Sequence, residues 1–435
     1  MTTQRPLSLF ESGYFRADAR FGSVPVGGMP LFIGSTVEGE LDADVLRAVL
    51  AELAARHPLL GSVHVDDGGV PVLRRTPDPR PPLEVAAGGE IEYVRLVNEP
   101  QDWSGALFRG VLLRDGEQSR VVLVIHHGIA DGRSAFAILD EMWRRYTARV
   151  HGAPIPVEAP AELPQAVDER LAATITAAEV EELLDRMRSM LTEPPARLPK
   201  SASVGAVRGF LAAERVELGQ RETAAFVAAA RAAEISVNSL LSGCAVRAVR
   251  GRLDAPGVLS MVCGYAADLR AALDPRLSDD TVLNCASGWG TLLAVAPDAD
   301  PVALGRIVDA DVRAALDRRD PARMALAARH IRDEQTAALL AGQPSIALSN
   351  IGRLPAHPVP DSVRVLRDNV FAMNPGMPPK LTAFTLDGRL TVQVEYDTAD
   401  HSREQMGEVR RALTELLHHV GAGSAHMVAA SMTKR

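Results

Sequence analysis

The segment from Val121 to Val150 constrains this chain more than any other. Val121-Val122-Leu123-Val124-Ile125 is short, mostly β-branched and bounded on its N-terminal side by charge, the pattern of a buried strand. From Ser134 to Val150, Phe136, Leu139, Trp143 and Tyr146 recur at helical spacing and predict a helix with one apolar face. Between strand and helix stand His126-His127-Gly128-Ile129-Ala130-Asp131-Gly132. A strand that turns directly into a helix is a rigid mount from which a side chain can be presented to a cleft.

The residue types on that turn have legible chemistry. A neutral imidazole titrates near physiological pH, so a positioned histidine accepts a proton from an attacking hydroxyl or amine and returns it later. Asp131 is too close in sequence to His127 to act independently. Its expected task is to hold the loop by pairing with a cation elsewhere, while Gly132 is expected to supply a backbone conformation closed to other residues. Two plainer readings stand beside this one. The histidines can be satisfied core residues at a strand end, or His127 and Asp131 can be a metal pair, although no third and fourth ligand follows at a recognisable spacing.

The stretch resembles the HHxxxDG signature of a superfamily that includes peptide-synthetase condensation domains, alcohol acyltransferases and polyketide-associated acyltransferases. The resemblance implies that His127, the second histidine, is the catalytic base, and that His126, Asp131 and Gly132 support the loop. His126 and Asp131 also spell the HxxxxD of glycerolipid acyltransferases, but that pattern asks for neither the second histidine nor the glycine. Weaker likenesses follow in the same order: Pro6-Leu7-Ser8-Leu9-Phe10-Glu11, Arg56-His57-Pro58, and Asp102-Trp103-Ser104-Gly105 before the strand pair that leads to the motif.

At 435 residues the chain has room for two domains or one large bilobal unit. A net charge of −8 argues against a nucleic-acid binder, which normally shows a basic face. Cys244, Cys263 and Cys285 are an odd, sparse set in apolar surroundings, expected as buried thiols in a reducing compartment. With no secretory signal pattern and no run long enough to span a bilayer, a soluble, cytoplasmic protein is expected.

Along the chain, a strand is expected at 31–37 and a helix from Asp42 to His57, with His57 as a structural residue at the helix end. Residues 75–90 have the composition of a surface connection, and Asp115-Gly116 marks a hairpin. The Pro- and Ala-rich stretch 152–166 reads as a linker, and 192–205 as its continuation or a mobile loop. Further on come a strand at 211–218, helices at 222–233 and 238–253, and a strand at 258–265. Helical candidates at 302–317 and 321–339 precede a strand at 345–350, a hairpin around Asp387-Gly388 and a last helix opened by Ser402 with Gln405. The expected division is an N-terminal lobe at 1–165, a crossover at 166–205 and a C-terminal lobe at 206–435. The element order suits two α/β lobes. The resemblance implies the chloramphenicol-acetyltransferase-like form, two lobes in a V with the histidine motif in a tunnel at their junction.

A buried carboxylate at Asp131 requires a cation. The resemblance points to Arg270, in Asp268-Leu269-Arg270, with Arg276 in reserve. Ser349-Asn350-Ile351-Gly352 is similar to the SNxG of alcohol and polyketide-associated acyltransferases, which makes Ser349 and Asn350 candidates for binding substrate or a developing oxyanion; the same residues also suit a plain turn. Asn284 stands where condensation domains keep an Asn-Thr, but the run that follows there is absent here, which counts against peptide formation. No serine sits in a nucleophile elbow, so no acyl-enzyme is expected.

The implied activity is transfer of an acyl group from a pantetheine thioester to a small-molecule alcohol, with no cofactor bound permanently. Acyl-coenzyme A or a phosphopantetheinyl acyl carrier protein would be the co-substrate, and a carrier protein or polyketide synthase the partner. Arg144, Arg145 and Arg149 are the candidate basic patch for a carrier protein. The alternatives are a free-standing condensation enzyme that forms an amide, and a non-catalytic docking module on the same fold.

Overall fold

In the computed structural model the apolar run before the motif becomes the centre of a sheet. Strand Gln118–His126 pairs antiparallel with Pro30–Glu38 on one side and Phe108–Asp115 on the other. Leu83–Ala87 adds a parallel edge and Arg364–Phe371 an antiparallel one, giving five strands. Every residue from Ser119 to His126 is buried, as expected for a central strand covered on both faces, and this is why the run is unbroken rather than alternating. Helices Ala43–Arg56 and Gly132–Val150 pack together on one face, with Leu46, Leu50, Leu139 and Trp143 in the same core as Val121 and Leu123. The structure describes residues 3–21, 24–155, 162–191, 193–201 and 210–432, with the backbone alone for Phe21 and 423–432. Residues 156–161 of the expected linker, Thr192 and residues 202–205 of the expected loop fall outside this range.

A second sheet holds six strands in the order Leu211–Leu218, Arg389–Asp397, Lys380–Leu386, Ile346–Leu354, Leu259–Asp268 and Ala286–Val295. Ile346–Leu354 runs parallel to both neighbours and the remaining pairs are antiparallel. Ile346, Leu348, Leu381, Ala383, Val392 and Val394 share a core with helices Gln220–Ala232, Val237–Arg250, Pro301–Asp317 and Arg403–Met432. The residues between them on these strands, among them Ser349, Lys380, Thr382, Gln393 and Glu395, therefore point the other way. That side looks at the first lobe: Phe384 packs on Phe136 of the motif helix, ring centroids 5.7 Å apart, and Arg215 donates to Asn369 of the first sheet at 2.8 Å.

The chain joins the lobes twice more. Strand Arg364–Phe371 leaves the second half to close the first sheet. The connection from Asp268 to Ala286 sends Leu269, Leu273, Val282, Leu283 and Cys285 into the first core. The fold is thus a mixed α/β pair of lobes.

Most expected elements stand within a few residues of their place. His57 follows helix Ala43–Arg56 as its C-cap, and its Nε2 lies 2.8 Å from Glu141 Oε2. The three cysteines are buried and free. The helical stretch near 321–339 is broken: Asp320–Leu326 and a 3-10 turn precede Glu334–Leu340, which Asp333 starts afresh by accepting from Thr336 N at 2.6 Å. The surface connection at 75–90 contains strand Leu83–Ala87, which pairs on one side only and reads weakly for that reason. Ser402 caps the last helix through Gln405 N at 3.1 Å, but the Gln405 amide donates to Pro199 O instead of closing a box. Among the described residues no single helix is long and apolar enough to cross a membrane.

Candidate active site

The motif strand ends at His126, and the helix begins at Gly132 with Asp131 as its N-cap. Asp131 is 3 % exposed. Its Oδ1 accepts from Ser134 N at 2.8 Å and its Oδ2 from Cys285 N at 2.9 Å. Arg270, 1 % exposed, donates to both oxygens: Nη1 to Oδ2 at 2.7 Å and Nη2 to Oδ1 at 3.2 Å. A two-pronged guanidinium–carboxylate contact fixes orientation as well as charge. Arg270 also donates to Ser134 Oγ at 2.7 Å, to Asp268 Oδ1 at 3.1 Å and to the carbonyls of Thr281 and Leu283 at 3.2 Å. Burial works against its charge, yet Asp131 more than offsets this and holds its pKa above the ordinary range. Arg276 lies elsewhere, against Asp279 at 3.6 Å.

The two histidines occupy different environments. His126 is 1 % exposed, stacked on Phe15 at 4.1 Å and 14° and edge-on to Trp103 at 5.0 Å. Its Nδ1 accepts from Gly128 N at 3.0 Å, which requires a neutral ring. Burial, followed by the neighbouring His127 and His64, pushes its pKa down to about 3. His127 is partly exposed. Its Nδ1 is buried without a hydrogen-bond partner, whereas Nε2 is not among the buried unpaired atoms of the described residues. Burial lowers its pKa and Lys380 lowers it further, against the opposing pull of its own backbone and of Asp131. The backbone is held at both ends: His127 N donates to Met29 O at 2.9 Å, and Asn284 Nδ2 donates to His127 O at 2.9 Å.

Gly132 differs from expectation in its reason. It stands in the first helical turn with ordinary backbone, and the constraint is space, since an added Cβ would come within 2.6 Å of Ile351 Cδ1. Ser349 and Asn350 lie on Ile346–Leu354, at a bulge between Asn350 and Gly352. Asn350 Oδ1 accepts from Gly352 N at 2.9 Å, so this oxygen serves the local turn. Ser349 is in register with Thr382 on the side that faces the first lobe. Arg144, Arg145 and Arg149 form no open basic patch: Arg144 pairs with Asp140, Arg145 with Glu141 and Glu52, and Arg149 with Glu52.

Several residues of the site escaped the sequence reading. Tyr14, Phe15 and Trp103 surround the two histidines in a chain of only 4 % aromatic content, and their scarcity was a usable signal. Lys380 and Glu395 form a buried pair, Nζ to Oε2 at 2.8 Å, on the strands facing the first lobe. The alternation Lys380-Leu381-Thr382-Ala383 against Val392-Gln393-Val394-Glu395 announced one polar face. A cleft of about 310 Å³ opens beside the motif helix, lined by Arg133, Phe136, Asp140, Ile351, Leu354 and His357. A larger one, near Arg247 and His419, lies behind the second sheet and away from the motif.

Residues 208–395 match the family described as phthiocerol/phthiodiolone dimycocerosyl transferase C-terminus. A phthiocerol/phthiodiolone dimycocerosyl transferase of Mycobacterium ulcerans (strain Agy99) is 26 % identical over 350 residues, covering 76 % of this chain and 78 % of the relative. Among solved structures, polyketide synthase associated protein 5 from Mycobacterium tuberculosis superposes with a TM-score of 0.73 at 20 % identity, over 96 % of this chain and 98 % of that one. TRI3 trichothecene 15-O-acetyltransferase from Fusarium sporotrichioides superposes with a TM-score of 0.74 at 11 % identity, over 96 % and 95 %. The fold is therefore the one these acyltransferases share, and the second half of the chain carries the match to the dimycocerosyl transferase family.

Proposed function

We propose that the protein transfers an acyl group from a pantetheine thioester to an alcohol, with His127 as general base. The observation that carries this is the contrast between the two histidines. His126 is enclosed and its Nδ1 is occupied, whereas His127 is partly exposed on a loop that the Asp131–Arg270 pair anchors. In this reading the neutral ring carries its proton on the buried Nδ1, and Nε2 presents the lone pair. It takes the proton of the acceptor hydroxyl as the oxygen attacks the thioester carbonyl. The tetrahedral intermediate then collapses, the carbon–sulfur bond breaks, and the imidazolium returns its proton to the thiolate. The Ser349 hydroxyl, on the strand in register with Thr382, is the candidate in this reading to meet the developing oxyanion.

Homology to the dimycocerosyl transferases and the fold shared with TRI3 support an alcohol acceptor. The fold shared with a polyketide synthase associated protein supports a carrier-bound donor beside coenzyme A. The test is thiol release from a panel of acyl-coenzyme A and acyl-carrier substrates, with and without alcohols, by wild type and His127→Ala. Release that needs both the alcohol and His127 is the expected result. Release that prefers amines would turn the reading to amide formation, and none from any thioester by a folded protein would turn it to a docking module.

A further inference from the structure

We propose that the N-terminal helix Leu9–Phe15 is a working part of the active site and that Tyr14 is a positioning residue for His127. The inference rests on the reading of His127 as the base. Ser8 and Glu11 cap this short helix reciprocally, and Arg5 grips Glu11 at 2.6 Å. Phe10 N donates to Asp168 Oδ2 at 3.2 Å, and Arg329 donates to the same oxygen at 2.7 Å. The helix is thereby fixed to a part of the chain far from the motif in sequence, and its last two residues deliver their rings to the two histidines. Phe15 stacks on His126, and Tyr14 stacks on His127 with centroids 5.6 Å apart and planes 21° from parallel. Contact is close enough to dictate the residue between: a Cβ on Gly128 would lie 2.9 Å from Tyr14 Cβ and from Phe15 Cε2.

Tyr14 also acts through the second lobe. It is 5 % exposed, and its phenol meets the side-chain amide of Asn284, which in turn donates to His127 O at 2.9 Å. One buried tyrosine therefore covers a face of the imidazole and steadies the residue that holds its backbone. An offset aromatic stack restricts ring rotation and excludes water from one face. Both effects serve a base that must keep Nε2 aimed and unprotonated while its substrates come and go. The charged and titratable groups that face or neighbour His127 are His126, Asp131, Lys380 and Tyr14 itself. Of these, Tyr14 is the one in a ring stack with the imidazole.

The test compares Tyr14→Phe, which keeps the stack and loses the phenol, with Tyr14→Leu, which keeps apolar bulk and loses the stack. Two properties of the full chain are measured: the pH dependence of kcat and KM, and the titration of the His127 ring by NMR, assigned with His127→Gln. Tyr14→Leu should move the ring titration and the acid limb of kcat upward toward the ordinary histidine value. It should lower kcat by about three- to ten-fold, the worth of one aromatic pair, with little change in KM. Tyr14→Phe should recover most of the loss. The proposal is overturned if Tyr14→Leu changes thermal stability alone, or if Tyr14→Phe is as impaired as Tyr14→Leu. Should Tyr14→Leu not fold, Tyr14→Met replaces it, with the same expected and overturning results. Because the ring titration needs no turnover, a shifted titration in a protein whose wild type transfers nothing would refute the catalytic reading and leave the positioning role standing.

Discussion

Asp131→Ala removes one acceptor from four groups at once: two nitrogens of Arg270 and the backbone N–H groups of Ser134 and Cys285. Breaking a buried ion pair from one side costs about 3–5 kcal/mol, and losing a helix N-cap costs about 1 kcal/mol. Arg270 retains Asp268, Ser134 Oγ and two carbonyls, which places the pair near the lower end of that range. The expected loss is about 4 kcal/mol. Arg270→Met leaves Asp131 with its two backbone donors and should cost about 3 kcal/mol. Combining Asp131→Ala with Arg270→Met removes both charges of the pair, so the double variant should be more stable than the sum of the two single losses by about 2 kcal/mol. For a chain of this size 1 kcal/mol moves Tm by only about 1 °C, so the assay is the denaturant midpoint, followed by tryptophan fluorescence. If Asp131→Ala unfolds at the wild-type midpoint, or the two single changes add without coupling, the pair does not tie the lobes and the reasoning fails.

Three other expectations follow from the same geometry. Gly34→Ala should cost several kcal/mol or prevent folding, because its Cβ would lie 2.0 Å from the backbone oxygen of Val121; Gly132→Ala meets only the movable tip of Ile351, so chemical denaturation should find a loss of about 1 kcal/mol, restored by Ile351→Val. His357 lies between Asp368 at 2.9 Å and Asp140 at 3.4 Å, and although burial opposes its charge, these carboxylates push its pKa up to about 9. A folded value above the unfolded one gives stability that is full below about pH 6.5 and lost as pH rises through 9, on the order of 3 kcal/mol, and His357→Gln should flatten that slope in pH-dependent unfolding. Lys380→Met should raise the acid limb of kcat/KM, because a cation that disfavours the imidazolium is gone; an unmoved limb would show that Lys380 is too remote to act on His127.

The parts of this site that could be read from the sequence were those set by local pattern. The strand–turn–helix around His126 and His127 follows from an apolar run and a helical period, and the need of Asp131 for a cation follows from burial. Which cation was a matter of resemblance, because Arg270 meets Asp131 across 139 residues of chain. Strand Arg364–Phe371 was not legible, since it reads as polar. Its Asp368 and Asn369 are buried only because Ser35, His357, Thr36 and Arg215 are there to satisfy them. The ring cage of Tyr14, Phe15 and Trp103 is a product of tertiary packing that no local window contains. Gly132 shows the same limit on a smaller scale. Its position was evident, but its reason lay in Ile351, on the other lobe.

The most direct test of the account is single-turnover ester formation, with the acyl thioester and alcohol preloaded on wild type, His126→Ala and His127→Ala and the ester quantified by mass spectrometry. A general base is worth about 10²–10⁴ in rate. His127→Ala should lose about that much while keeping the wild-type unfolding midpoint, and His126→Ala should lose stability in larger measure than its remaining folded fraction loses rate. Ester formed by folded His127→Ala at the wild-type rate would contradict the central claim.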